Sequence, residues 1–90
     1  MQFEYDPEKS AANLAKHGID FEHAQALWKD NDRVIGPVES DVEDRWMVVG
    51  QIGEKLWSAI ISFRGDIIRL ISVRRSRPKE VVEYDNSEKN

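Results

Sequence analysis

Cysteine is absent from this 90-residue chain. Neither a disulfide framework nor a thiolate metal site is therefore open to it, and the composition fits a reducing compartment. No apolar run approaches the roughly 20 residues that cross a bilayer. The opening MQFEYDPEKS lacks the basic region and apolar stretch of a secretory signal. These absences lead us to expect a cytoplasmic protein with no membrane partner. Histidine is scarce: His17 and His23 lie six apart across Gly18, not at the one-turn spacing of a helical ligand pair. A P-loop, a dinucleotide glycine pattern and a G-x-S-x-G elbow are also missing. We expect no metal and no cofactor. Positive charge is in deficit too, with a formal net charge of −4 and a pI near 5.1, which argues against indiscriminate nucleic-acid binding.

What positive charge there is has been concentrated. The segment from Arg64 to Lys79 holds six Lys or Arg against one Asp, while Met1 to Phe63 holds six against twelve carboxylates. Exposed like charges repel and add little stability, so such a cluster speaks of partners more than of fold. At this length the chain forms one domain, 1–90, burying roughly 60% of the surface its unfolded form exposes.

Patterning supplies the elements. QFEY alternates as a strand does. In DPEKSAANLAKHG, Asp6 can cap a helix whose first residue is Pro7, with Gly18 as its left-handed stop. Ala11, Leu14 and Ala15 then form a narrow apolar stripe that leaves Lys9, Asn13 and Lys16 outside. Asp20 caps a second helix, which buries Phe21, Ala24, Leu27 and Trp28 and ends near Lys29. From Asp30 to Asp44 the chain is acidic and punctuated by Gly36-Pro37, a loop with at most a short edge strand around Val34 and Ile35. RWMVVGQI, KLWSAIISF and DIIRLISV follow as an antiparallel meander, and Arg64-Gly65-Asp66 reads as one of its hairpin turns. Ile68 and Leu70 fall on one parity of the last segment and Ile67, Ile71 and Val73 on the other, as in a strand covered on both faces. RPKEVVEYDN starts a closing helix at Pro78 and residues 86–90 read as a frayed tail. The expected class is α+β: a small antiparallel sheet, made of the meander plus the N-terminal strand, packed with two N-terminal helices and one C-terminal helix.

Chemistry can come from few places. Arg74, Arg75 and Arg77 fall where a strand runs into a helix, with Lys79 in that helix's first turn, a corner that suits phosphate. Arg69 lies mid-strand on the parity of Val73 and Arg75. Arg64, at the strand's other end, would lie about 30 Å from Arg74 at ~3.3 Å per residue, too far to share one phosphate. An extended polyanion could meet both, with Arg69, Arg77 and Lys79 on its backbone and Trp46, Trp57 or Tyr84 open to a stacking role. Equally open from the residues alone is that Arg74, Arg75 and Arg77 pair with Glu80, Glu83 or the acidic loop. Lys16 and His17 end the first helix, where cations satisfy carbonyls and the helix dipole; alternatively they complete a site, His17 as acid or base and Lys16 as charge stabiliser. Glu22 is a dipole partner or a base.

Taken together, FEYDPEKSAANLAKHGIDFEHA, DRWMVVGQIGEKLWSAIISFRG and IIRLISVRRSRPKEVVEY resemble the BrnT toxin family of type II toxin–antitoxin modules over nearly the whole chain. KHGIDFEHA and IRLISVRRS are the specific parts. The resemblance implies a RelE-like fold and a ribonuclease that needs no metal or cofactor and arrests translation. It also implies a BrnA-like ribbon-helix-helix antitoxin as partner in a hetero-oligomer, with promoter DNA contacted only through that antitoxin. The positions it marks as site candidates are Lys16, His17, Glu22, Arg64, Arg74 and Arg75. The alternative of another class is a non-catalytic binding module that serves as co-repressor.

Overall fold

The computed structural model describes residues 1–41 and 44–87. Part of the expected acidic loop, Val42 and Glu43, and the end of the expected frayed tail, 88–90, lie outside the described residues. Chain order is β1 (Gln2–Glu4), α1 (Pro7–His17), α2 (Phe21–Ala24) running into a 3-10 segment (Gln25–Lys29), then β2 (Val34–Val38), β3 (Arg45–Ile52), β4 (Lys55–Arg64), β5 (Ile67–Arg75) and α3 (Pro78–Asn86). The caps are those the residue types dictate. Asp6 accepts the Glu8 N–H at 2.9 Å, Asp20 accepts the His23 N–H at 2.7 Å, and Gly18, at φ 82°, returns its own N–H to the Leu14 carbonyl. Among the described residues no helix is long and apolar enough to cross a membrane.

The sheet departs from expectation in two ways. It has five strands in the order β1-β5-β4-β3-β2, and it is mixed, because β1 runs parallel to β5 while the other pairs are antiparallel. The fifth strand is the edge strand β2, which continues through Gly36-Pro37; proline is tolerated there because the outer side of an edge strand needs no ladder N–H. The tail also differs: Asn86 is helical, and Ser87 caps α3 by donating its hydroxyl to the Tyr84 carbonyl at 2.8 Å.

One irregularity organises the sheet. Ile60 pairs with Ser72 but Ile61 pairs with Leu70, so Ile71 is an extra residue in β5. Ile68, Leu70 and Val73, of mixed parity, consequently enter one core with Val48, Ala59 and Ile61, under Ile19, Phe21, Ala24 and Leu27. Apolar residues of both parities thus reflect a bulge, where the pattern had suggested a strand covered on both faces.

Helix α1 is turned the opposite way from its apolar stripe. Ser10 and Asn13 are buried, whereas Ala11, Leu14 and Ala15 are exposed, Leu14 by 49%. The cause is an open sheet edge. β1 covers β5 only as far as Arg69, and further along Asn13 takes the place of a neighbouring strand: it donates to the Val73 carbonyl at 2.9 Å and accepts the Val73 N–H at 3.1 Å. Its amide also donates to the Ile19 carbonyl at 2.8 Å, and the Ser10 hydroxyl accepts the Phe21 N–H at 2.9 Å. Polar side chains face inward here because what they meet is unpaired backbone. Removing the amide with Asn13→Ala strands three buried backbone groups, each worth about 1–3 kcal/mol. We expect urea unfolding to show a loss of at least ~2 kcal/mol, and a variant as stable as the parent would mean that Val73 is satisfied in another way.

Candidate nucleic-acid interface

The β5–α3 corner is built on Glu80, three residues into α3. Its two oxygens accept both terminal nitrogens of Arg74, at 2.8 and 2.7 Å. The Ser58 hydroxyl of β4 and the Arg77 N–H also donate to it, at 2.8 and 2.9 Å. One carboxylate thereby joins β4, β5 and the start of α3. Hydrogen bonding by Arg74 holds the Glu80 carboxyl down at about 2 against an ordinary 4.5, and the Arg74 pKa is raised by the same contact. This is a largely sequestered, bidentate pair, with side-chain exposures of 23% and 12%, and Arg74 is committed to it.

The neighbouring arginine has another fate. Arg74 sits opposite Ser58, on the face that α3 covers, while Arg75 sits opposite Trp57, on the face of Ala59 and Val73. Arg75 is exposed and its guanidinium lies 5.5 Å from the centroid of the Trp57 ring, within cation–π range. The two arginines expected to converge therefore point to opposite sides of the sheet. At the far end of β5, Arg69 and Arg64 share the Glu4 carboxylate, at 2.8 and 3.5 Å. Arg64 is brought back by its hairpin level with Ile67, six β4 residues from Ser58, so its separation from Arg74 shrinks from the expected 30 Å to about 20 Å. A shared phosphate stays out of reach.

Several of the cations left over gather at one end, although Lys9, early in α1, and Arg45, at the start of β3, do not. Parallel pairing of β1 with β5 and the grip of Asn13 on Val73 set α1 running along β5, so Lys16 and His17 in its last turn belong to the Arg75 end. Lys55 begins β4 two residues before Trp57 and on the same face. Among the described residues Lys16, Lys55, Arg75, Arg77 and Lys79 form no ion pair. One end of the domain thus carries Lys16, His17, Lys55 and Arg75 on the face under α1 and α2, with exposed Arg77 and Lys79 at the start of α3. Glu22 is elsewhere. It lines a groove with Phe3, His23 and Trp28, and Phe3 pairs with Ile68, at the opposite end of β5 from Arg75. Among the described residues no three His, Asp or Glu side chains converge as a metal would require.

Two of the three aromatic residues considered for stacking are occupied. Trp46 meets Phe63 edge-on at 6.2 Å between centroids, and buried Tyr84 donates its hydroxyl to Asp30 at 2.7 Å. Asp30 accepts the Gln51 N–H with the same oxygen, at 2.8 Å, and burial with this carboxylate pushes the Tyr84 phenol up to about 12. That leaves Trp57. Lys55 was overlooked in the sequence because its relevance depends on cross-strand register, the only thing that sets it beside Arg75.

Fold and surface together define a small α+β domain with exposed cations gathered at one end. The model of the family described as "Ribonuclease toxin, BrnT, of type II toxin-antitoxin system" matches residues 5–80, and the chain belongs to this family. A comparison with curated proteins finds no match.

Because the folded-state pKa of Glu80 is depressed, its stabilising effect is complete above its ordinary value and fades as pH falls from 4.5 toward 2. Glu80→Gln should accordingly be less stable than the parent at pH 7, and the gap should close toward pH 2 in denaturant titrations. A gap that persists unchanged in acid would show that the carboxylate charge is not what holds the corner.

Proposed function

We propose that this protein is a metal-independent endoribonuclease of RelE-like architecture that cleaves single-stranded RNA in the cytoplasm and so arrests translation. Neutralisation falls to a BrnA-like ribbon-helix-helix antitoxin in a hetero-oligomer, and promoter DNA is contacted only through that antitoxin. The observation that carries the reading is the gathering of five cations that form no ion pair among the described residues, Lys16, Lys55, Arg75, Arg77 and Lys79, at the end where His17 closes α1.

The reaction is attack of a ribose 2′-hydroxyl on the adjacent phosphorus. A bond forms from O2′ to phosphorus and the bond to the 5′-oxygen breaks, leaving a 2′,3′-cyclic phosphate. A base must take the hydroxyl proton, cations must stabilise the phosphorane oxygens and an acid must protonate the leaving oxygen. His17 is the group we assign to proton transfer. Lys16 and Arg75 supply charge, and Arg77 and Lys79 hold flanking phosphates. Arg74, locked on Glu80, acts as a positioning residue that fixes the strand end from which Arg75 projects. Arg64 and Arg69 extend the contact with the RNA backbone about 20 Å away. Glu22, in the groove with Phe3 away from Arg75, is the weakest of the catalytic candidates.

Purified protein incubated with total RNA in EDTA should yield fragments ending in 2′,3′-cyclic phosphate. Lys16→Ala, His17→Ala and Arg75→Ala should each slow cleavage on the order of 10²–10³-fold. Intact RNA from folded, antitoxin-free protein would overturn the reading. It would favour instead a non-catalytic module whose basic surface docks a partner in a repressor complex, which the engagement of Arg64, Arg69 and Arg74 by Glu4 and Glu80 already supports.

A further inference from the structure

The cationic end holds one arrangement that phosphate binding does not require. Arg75 is an exposed guanidinium in a chain rich in carboxylates, yet among the described residues it forms no ion pair and lies over the indole of Trp57, 5.5 Å from its centroid. Register fixes the pair. Trp57 and Arg75 are directly opposite each other, one rung beyond Ala59 and Val73, both of which are fully buried. On its other side Trp57 faces Gly50, which has no side chain. A Cβ at Gly50 would come within 3.0 Å of a Leu27 methyl and 3.4 Å of the Arg33 Cβ, so that side of the row is filled by the 3-10 segment. Trp57 is therefore backed by protein, packs against the core and is only partly exposed. Its exposed neighbour on the ladder is Arg75.

We propose that Trp57 and Arg75 form a stacking platform for one base of single-stranded RNA, with Lys55 on an adjoining phosphate. The inference rests on the cationic end being the RNA site, and it adds a base-reading subsite there. An arginine plane is itself a stacking surface for an unpaired base, and an aromatic ring beneath it attracts and orients it electrostatically. A free surface arginine loses rotamer entropy when a ligand fixes it; here the indole has already restricted it, so less is lost on binding. Lys55 starts the same strand on the same face, about 7 Å from Trp57 at ~3.3 Å per residue, close to the spacing of successive backbone phosphates. Lys16 and His17 end α1 beside the same stretch of β5, so the base that stacks would neighbour the phosphate that reacts.

The test separates base from backbone. The probes are a short 2′-O-methyl RNA oligonucleotide, which lacks the attacking hydroxyl and cannot be cleaved, and an abasic oligonucleotide of the same length and charge. Arg75→Lys keeps the charge but loses the plane. We expect it to bind the base-containing probe roughly 5- to 100-fold more weakly, with a clearly smaller loss on the abasic probe because the charge is kept. Trp57→Phe should weaken the same probe selectively and by less. Lys55→Ala should weaken both probes alike and lower the salt slope by about one. Thermal unfolding of each variant establishes that it is folded before binding is compared. Equal affinity of Arg75→Lys and parent for the base-containing probe, or equal losses on both probes, would overturn the platform. The two proposals can fail separately. Cleavage by the parent with no base-selective loss in Arg75→Lys leaves the ribonuclease standing without its platform, and base-selective binding with no cleavage does the reverse.

Discussion

A single unpaired residue decides which way every side chain beyond it in β5 points. Side chains of a strand alternate, so one inserted residue moves all that follow to the other face. Ile71 is that residue. Before it, Ile68 and Leu70 enter the core; after it, Val73 does, three positions on instead of two. Without the bulge, Val73 would leave the core, Arg74 would turn toward Trp57 and Arg75 toward Glu80. With it, a buried acceptor network receives Arg74, and Arg75 is left to an aromatic ring and solvent. The division of labour between two adjacent arginines is a consequence of sheet register, since the residues themselves are chemically identical.

The second constraint is the length of β1. A three-residue strand leaves the outer edge of β5 open after Arg69, and unpaired backbone polar groups in a packed setting must find partners. Asn13 supplies a donor and an acceptor in one amide, the pair that a neighbouring strand would offer. The same amide holds the Ile19 carbonyl, so the end of α1, the turn after it and the end of β5 become one rigid unit. That unit carries Lys16 and His17 on one element and Arg75 on the other. Fixing the relative placement of groups on separate elements is what a site for an extended ligand needs most, because an error of an ångström in placement is costly and loops seldom hold that tolerance.

How much of this could be read in the residues varies with the range of the interaction involved. Caps at Asp6, Asp20 and Gly18, and the hairpin at Gly65, are local chemistry and were legible. Family membership was legible as well, since its motifs are contiguous. The inversion of α1 was not. Its Ala11, Leu14 and Ala15 stripe has the right period, and only the unpaired edge of β5, 60 residues away, makes Asn13 the inward residue. Likewise, the parity of Val73 against Leu70 suggested two covered faces because a bulge leaves no mark in composition. The basic segment was legible and its geometry was not: that Arg74 is paired while Arg75 is exposed, and that Lys55 lies on the Arg75 face, are facts of register.

Acidity of the whole chain and basicity of one end are reconciled by where the carboxylates go. Glu4 and Glu80 hold Arg64, Arg69 and Arg74; Asp30 is turned inward to a backbone N–H and a phenol; Asp6 and Asp20 cap helices. Carboxylates used in this way add negative charge to the total without pairing with Lys16, Lys55, Arg75, Arg77 or Lys79. Net charge sets how strongly a protein attracts polyanions from a distance, and that attraction is screened within about 8–10 Å at physiological salt. Contact is governed by the local arrangement. An acidic chain with a cationic end should therefore hold a polyanion only where several contacts are made together, and in the proposed RNA complex stacking on Arg75 and Trp57 would be a larger share of the affinity than in a uniformly basic protein.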